Sequence, residues 1–197
     1  MIAVADKRRR PAFAVESSDP RLLERMRDGD MGALGMLFDR YAPDVRRVIS
    51  RLGIAPADVD DLVQLTFLEA MRGAGQYDGR ENAKPWLAGI AVMMVRRHRR
   101  SLGRLVQRLA DWAREPGQEK PEPSPADAYE TNEMAHRAHQ ALAKLSDKKR
   151  EVFILVALEG LPGDQVAAAL SIPVATVWTR LHHARLDLRK LLAEEET

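Results

Sequence analysis

The chain has 197 residues, with 31 Lys and Arg against 29 Asp and Glu, a formal charge of +2 that masks separate acidic and basic blocks. Its length admits one domain or two small ones, and with 45% hydrophobic but only 5% aromatic residues its cores must be filled by Leu, Val, Ala and Met, which leans towards helices. The absence of cysteine excludes disulfides, thiolate metal sites and cysteine nucleophiles, and no stretch is long and apolar enough to span a membrane; a cytoplasmic protein is expected.

Residues 1–18 read as a loose basic tail: Lys7, Arg8, Arg9 and Arg10 precede Pro11 to Glu16, which is too short and mixed for the apolar core of a signal peptide. Asp19-Pro20 then opens a helix with a capping side chain and a first-turn proline, and Gly29 closes it. Asp30 caps a second helical run through Leu34, Leu37, Phe38, Tyr41, Val45, Val48, Ile49 and Leu52, in which Pro43 is expected to break or kink the helix; Gly53 ends it. Pro56 to Arg72 forms a third helix, with Val59, Leu62, Val63, Phe67, Ala70 and Met71 on one side. Between Arg51 and Arg72 no basic residue offsets Asp58, Asp60, Asp61 and Glu69. Gly73 to Lys84 reads as a loop.

Pro85 stands at the first position of a fourth helix whose inner stripe is Trp86, Ile90 and Met94, beside Leu87 and Ala91. From Asn82 to Ala110 no acidic residue occurs, while Lys84, Arg96, Arg97, Arg99, Arg100, Arg104 and Arg108 are all cationic. Ser101 is expected to restart the helix, with Leu102, Leu105, Val106, Leu109 and Trp112 in phase. From Arg114 to Asp127, Pro116, Pro121, Pro123 and Pro125 alternate with Glu115, Glu119 and Glu122, a composition that resists helix and core alike and reads as a linker, placed at residues 114–130. Beyond it, helical runs are predicted over residues 127–145, 147–159, 163–170 and 174–192. The predicted fold class is all-α: two small helical domains, residues 19–113 and 131–197, joined by a flexible Pro/Glu-rich linker.

Gln165 to Leu181 carries the strongest local pattern, a helix-turn-helix. Val166, Leu170, Ile172, Val177 and Leu181 supply the contacts between its helices, Ala167 is small where they cross, and Ser171-Ile172-Pro173 makes the turn. With Val177 and Leu181 facing inwards, Thr176, Trp178, Thr179, Arg180, His182, His183 and Arg185 remain for phosphates or base edges in a major groove.

Ala143 to Leu155, Leu158 to Pro162 and Thr176 to Arg185 together resemble region four of the extracytoplasmic-function (ECF) sigma factors of bacterial RNA polymerase. Phe38 to Pro43, Asp60 to Phe67 and Lys84 to Ala91 resemble region two of the same family, in the same order. That resemblance implies a sigma factor that binds core RNA polymerase and directs promoter-specific initiation by recognising and melting promoter DNA. Its implied partners are core polymerase, promoter DNA and an anti-sigma factor, with no cofactor, no metal, no small-molecule substrate, no membrane insertion and no catalysis of its own. It implies polymerase binding by Asp61, Gln64, Leu65 and Leu68, with Leu65 where the family usually has glutamate. It places minus-ten DNA against Tyr77, Arg80, Asn82, Lys84, Trp86, Met93, Arg96, Arg97 and Arg100, Trp86 being read mainly as core. It assigns minus-thirty-five DNA to the seven helix-turn-helix residues named above, Trp178 and His183 standing where basic residues are frequent in the family.

Two rival readings follow from the residues alone. Glu130, Glu133, His136 and His139 contain a Glu-x-x-His step, but on a helix steps of three drift by about 60° each, so the four do not converge on a metal. A dimeric helix-turn-helix regulator would bind its operator without polymerase, whereas the sigma reading requires polymerase.

Overall fold

The computed structural model describes residues 18–77, 82–112 and 133–194; the tail up to residue 17 and the Pro/Glu-rich linker lie outside the described residues. The elements are α1 (Asp19–Arg27), α2 (Met31–Arg51), α3 (Pro56–Gly73), a 3-10 turn (Ala74–Gln76), α4 (Lys84–Trp112), α5 (Glu133–Lys144), α6 (Asp147–Phe153), a π turn (Ile154–Leu158), α7 (Gly163–Leu170) and α8 (Val174–Glu194). No strand occurs among the described residues, as the all-α reading requires.

The predicted starts and stops hold where side chains can enforce them. Pro20 lies in the first turn of α1, Asp30 caps α2 by accepting from the backbone N–H groups of Gly32 (2.8 Å) and Ala33 (3.1 Å), and Gly29 and Gly53 follow the ends of the first two helices. Two expected interruptions do not occur. Helix α2 runs through Pro43, because Pro43 and Asp39 both face solvent, where water can serve the carbonyl that proline leaves without a donor. Leu37, Val45, Val48 and Ile49 are meanwhile buried on either side of that site and hold the helix together. Helix α4 passes Ser101 without a break and runs on through Gly103, as an exposed serine costs a helix interior only a few tenths of a kcal/mol and no proline stands there to end it. The Leu102 and Leu105 that were expected to pack in phase beyond it are 46% and 51% exposed.

Helices α1 to α4 enclose Leu22, Leu23, Met26, Leu37, Ile49, Leu52, Val63 and Leu87, all nearly inaccessible. Each such side chain contributes about 1.5–3 kcal/mol by leaving water. The buried stripe of α4 is wider than predicted: Leu87, Ala88, Ala91, Val92, Met94 and Val95 are buried while Trp86 and Ile90 only lean on the core. A helix shows two buried faces when it is packed on two sides, and α4 touches α2 and α3 on one side and α7 on the other. Through that second face one continuous apolar cluster joins the N-terminal helices to Val152, Ile154, Leu155, Val166, Val177 and Leu181 of the C-terminal helices. The approach is close. A Cβ built on Gly89 of α4 would lie 2.5 Å from the carbonyl oxygen of Ala169 on α7, so only glycine lets the two backbones meet there.

Candidate nucleic-acid and protein interfaces

Three surfaces collect the predicted residues. On α3, Asp61, Gln64, Leu65 and Leu68 follow the i, i+3, i+4, i+7 spacing of a single helix face, and all four are exposed, Leu65 by 48% and Leu68 by 42%. Phe38 of α2, 36% exposed, extends this ridge by packing its ring 4.9 Å from that of Phe67. The acidic residues of α3 are less bare than the sequence suggests. His98 lies 3.4 Å from Asp58, Arg46 pairs with Asp60, and Arg72 and Arg97 each come within 3.4 Å of Glu69. These partners come from outside the stretch between Arg51 and Arg72, from α2, α4 and the last turn of α3. What α3 offers outwards is therefore mixed: a leucine pair beside Asp61 and Gln64.

The second surface lies along α4 and the segment before it. At about 100° per residue, Trp86, Met93, Arg97 and Arg100 fall on one stripe, with Tyr77 set edge-on to Trp86 at 5.2 Å. Asn82 accepts from the backbone N–H of Lys84 (2.9 Å) and from the Tyr41 hydroxyl (3.3 Å). Behind it is Asp19, expected to cap α1; the N-cap is instead Ser18, and no side chain caps that end, because the Asp19 carboxylate turns inwards to other donors. Asp19, 3% exposed, accepts from Arg40, from the Tyr41 hydroxyl and, at 2.7 Å, from the buried N–H of Ala83. Burial and the hydrogen bond to Asp19 push the Tyr41 phenol far up, so it stays a donor. Arg80 lies outside the described residues.

Lys84 and Arg96 point elsewhere, towards the C-terminal helices. Arg96 makes a forked pair with Glu151 of α6 at 2.7 and 2.5 Å, and Arg99 reaches Asp147 at 2.5 Å. Lys84 lies 3.4 Å from Glu159, which also accepts from Arg47 (2.9 Å) and Arg51 (2.5 Å) of α2. Arg47, Arg51, Glu151 and Glu159 went unremarked in the sequence because partners more than 50 positions apart leave no local pattern.

The third surface is the helix-turn-helix, α7 and α8. Val166, Ala167, Leu170, Val177, Leu181 and Ala184 are buried between its helices and their supports. The turn is made by Ser171 in the left-handed region (φ 54°), after which the N–H of Ile172 donates to Ala167 at 3.0 Å. On α8, Thr179, His182, His183 and Arg185 are exposed while Thr176 and Arg180 are half-buried. Trp178 is 51% exposed but not free-standing: its ring lies over Gly163, where an added Cβ would come within 2.5 Å of it. The indole thus couples the start of α7 to the outer face of α8.

Residues 37–105 match the family sigma-70 region 2, and residues 135–188 match sigma-70 region 4. The chain is similar to RNA polymerase sigma factor CarQ of Myxococcus xanthus, 31% identical over 88% of this chain and 97% of that protein. It is also similar to the ECF RNA polymerase sigma-E factor of Escherichia coli K12, 29% identical over 85% and 91%. Among solved structures it resembles CnrH in complex with the cytosolic domain of CnrY, with a TM-score of 0.64, 27% identity and coverage of 89% of this chain and 97% of that one.

Proposed function

Because the chain belongs to the RNA polymerase sigma factors of the extracytoplasmic-function type, we propose that its three surfaces divide the work of promoter-specific transcription initiation. In this reading residues 19–113 form the polymerase-docking and minus-ten domain, residues 131–197 the minus-thirty-five domain, and residues 114–130 the connection. The leucine pair with Asp61 and Gln64 on α3 meets core polymerase, a face of the apolar-centred, polar-rimmed kind that protein interfaces use. Tyr77, Asn82, Trp86, Met93, Arg97 and Arg100 hold the opened minus-ten strand, aromatic and guanidinium planes stacking on bases while cations follow phosphates. Thr176, Trp178, Thr179, Arg180, His182, His183 and Arg185 present α8 to the major groove upstream. Nucleotidyl transfer belongs to the polymerase, and the protein acts in the cytoplasm, where its polymerase is. An anti-sigma factor is a further partner in this reading; CnrH, which this chain resembles, is known in complex with the cytosolic domain of CnrY.

The observation that carries this reading is the separation of an exposed leucine ridge on α3 from a helix-turn-helix whose outer face carries mostly polar residues beside Trp178. Run-off transcription with purified core polymerase, on DNA selected by the reconstituted holoenzyme, tests it. A promoter-specific transcript is expected only when this protein is added; its absence, or equal operator binding without polymerase, would defeat the reading. Leu65→Asp should weaken competition for core polymerase by about tenfold, a loss of about 1.4 kcal/mol at a buried interface position.

A further inference from the structure

We infer that Arg47, Arg51 and Lys84 form a binding site for backbone phosphates of promoter DNA, and that Glu159 of the C-terminal helices occupies this site as an internal phosphate mimic when DNA is absent. The inference deepens the minus-ten reading, on which it rests, by extending the strand path from α4 onto α2.

The geometry is that of an anion site with its anion in place. Arg47 and Arg51 stand one helical turn apart on α2, and Lys84 opens α4 alongside them; all three converge on one carboxylate whose side chain is 1% exposed. Arg47 is held in place by Asp44, which also lies 3.3 Å from Lys84. Glu159 is delivered by a local distortion. The π turn over Ile154–Leu158 closes with the Glu159 N–H donating to Ile154 at 2.9 Å, and Gly160, at φ +67°, turns the chain away immediately afterwards. Carboxylate and phosphodiester present the same chemistry to such a cluster, a planar or tetrahedral array of anionic oxygens that guanidinium groups fork onto. A second contact repeats the arrangement: Arg96, assigned to minus-ten DNA, is forked onto Glu151, which is 3% exposed. The two carboxylates come from the same helical unit, so its departure uncovers Lys84, Arg47, Arg51 and Arg96 together. Phosphates and the C-terminal helices are mutually exclusive occupants of this surface.

The test uses the full chain and a short fluorescent single-stranded DNA of mixed sequence, with binding read by anisotropy. Because the chain lacks cysteine, dyes on Gln76→Cys and Arg189→Cys report the distance between the two helical units in the same molecules. Glu159→Gln is expected to lengthen that distance and to tighten DNA binding about tenfold, since a site blocked most of the time loses apparent affinity in proportion. Gly89→Val, which forces α4 and α7 apart without altering any charge, should do the same and covers the case in which Glu159→Gln fails to fold. Asp164→Asn removes an equal charge from an exposed position and should change neither reading. Adding Arg47→Ala and Arg51→Ala to the opened variant should abolish the gain. The inference is overturned if opening leaves DNA affinity unchanged, if the gain survives loss of both arginines, or if Asp164→Asn reproduces it. Promoter-dependent transcription, measured separately, distinguishes failure here from failure of the functional reading: a chain inactive with core polymerase yet showing the arginine-dependent gain loses only the latter.

Discussion

Replacing Asp19 by alanine should destabilise the fold by about 1–4 kcal/mol, the sum over its three donors. The N–H of Ala83 is buried and donates to Asp19, so its orphaning costs about 1–3 kcal/mol. Arg40, whose side chain is 36% exposed, recovers most of its loss from water, leaving about 0–1 kcal/mol. Tyr41 retains Asn82 at 3.3 Å, a long contact that adds little. Asp19→Asn keeps one oxygen for Ala83 and should cost about half as much, the remainder being the difference between charged and neutral hydrogen bonds. For a chain of this size about 2–4 °C of melting temperature accompanies each kcal/mol, so thermal melts followed by circular dichroism resolve the series. An unchanged melt for Asp19→Ala, or Asp19→Asn as damaging as Asp19→Ala, would refute the reasoning. The same series should lower minus-ten discrimination, because Asp19 anchors the backbone at Ala83 beside Asn82.

Other outcomes follow from single contacts. Ser171→Gly should stabilise the protein by about 0.5–1 kcal/mol, seen as a higher melting temperature, since glycine adopts the left-handed turn without the side-chain penalty. Gly163→Ala should push the Trp178 ring off α7 and lower transcription about fivefold from promoters that depend on the upstream element, while templates with that element scrambled respond little. Burial pushes the Glu159 carboxyl up, but the hydrogen bond from Arg47 and the charges of Arg47, Arg51 and Lys84 outweigh it and hold the group below its ordinary 4.5. A depressed value means the contact is fully present above about 4.5 and is lost as pH falls through the lowered value. The distance between the two dye positions should therefore lengthen on acidification below that point, and Glu159→Gln should flatten the profile.

Local rules were enough for the helices whose ends carry their own signals: Asp30, Pro20, Gly29, Gly53 and the Ser171-Ile172-Pro173 turn all lie within a few residues of what they control. They failed at Pro43, where burial on both sides of an exposed residue holds the helix together, and at Ser101, where an exposed serine lacks the means to stop one. Period alone placed Trp86 and Ile90 in the core stripe of α4 beside Leu87, Ala91 and Met94, yet the two-sided packing of that helix buried Ala88, Val92 and Val95 as well and left Trp86 and Ile90 half-buried. The exposed face of α3 was legible because its four residues share one helix. The cation cluster around Glu159 was not, because α2, α4 and the π turn meet only in space, and an arginine at position 47 looks in the sequence like any solvated residue.

Arg150 is buried and donates to three carbonyls that end α5 and its turn, Leu142 at 2.7 Å, Ala143 at 2.5 Å and Leu145 at 2.7 Å. A helix end is normally finished by its own next residues; here the finishing group belongs to the following helix. Fragments of the C-terminal half must therefore be cut with this in mind. One that starts at residue 133 and includes α6 carries its own terminator, whereas a peptide covering α5 alone loses it and should unravel from its last turn. Exchange of cassettes between related proteins at the α5–α6 turn would fail for the same reason unless the donor brings its own arginine.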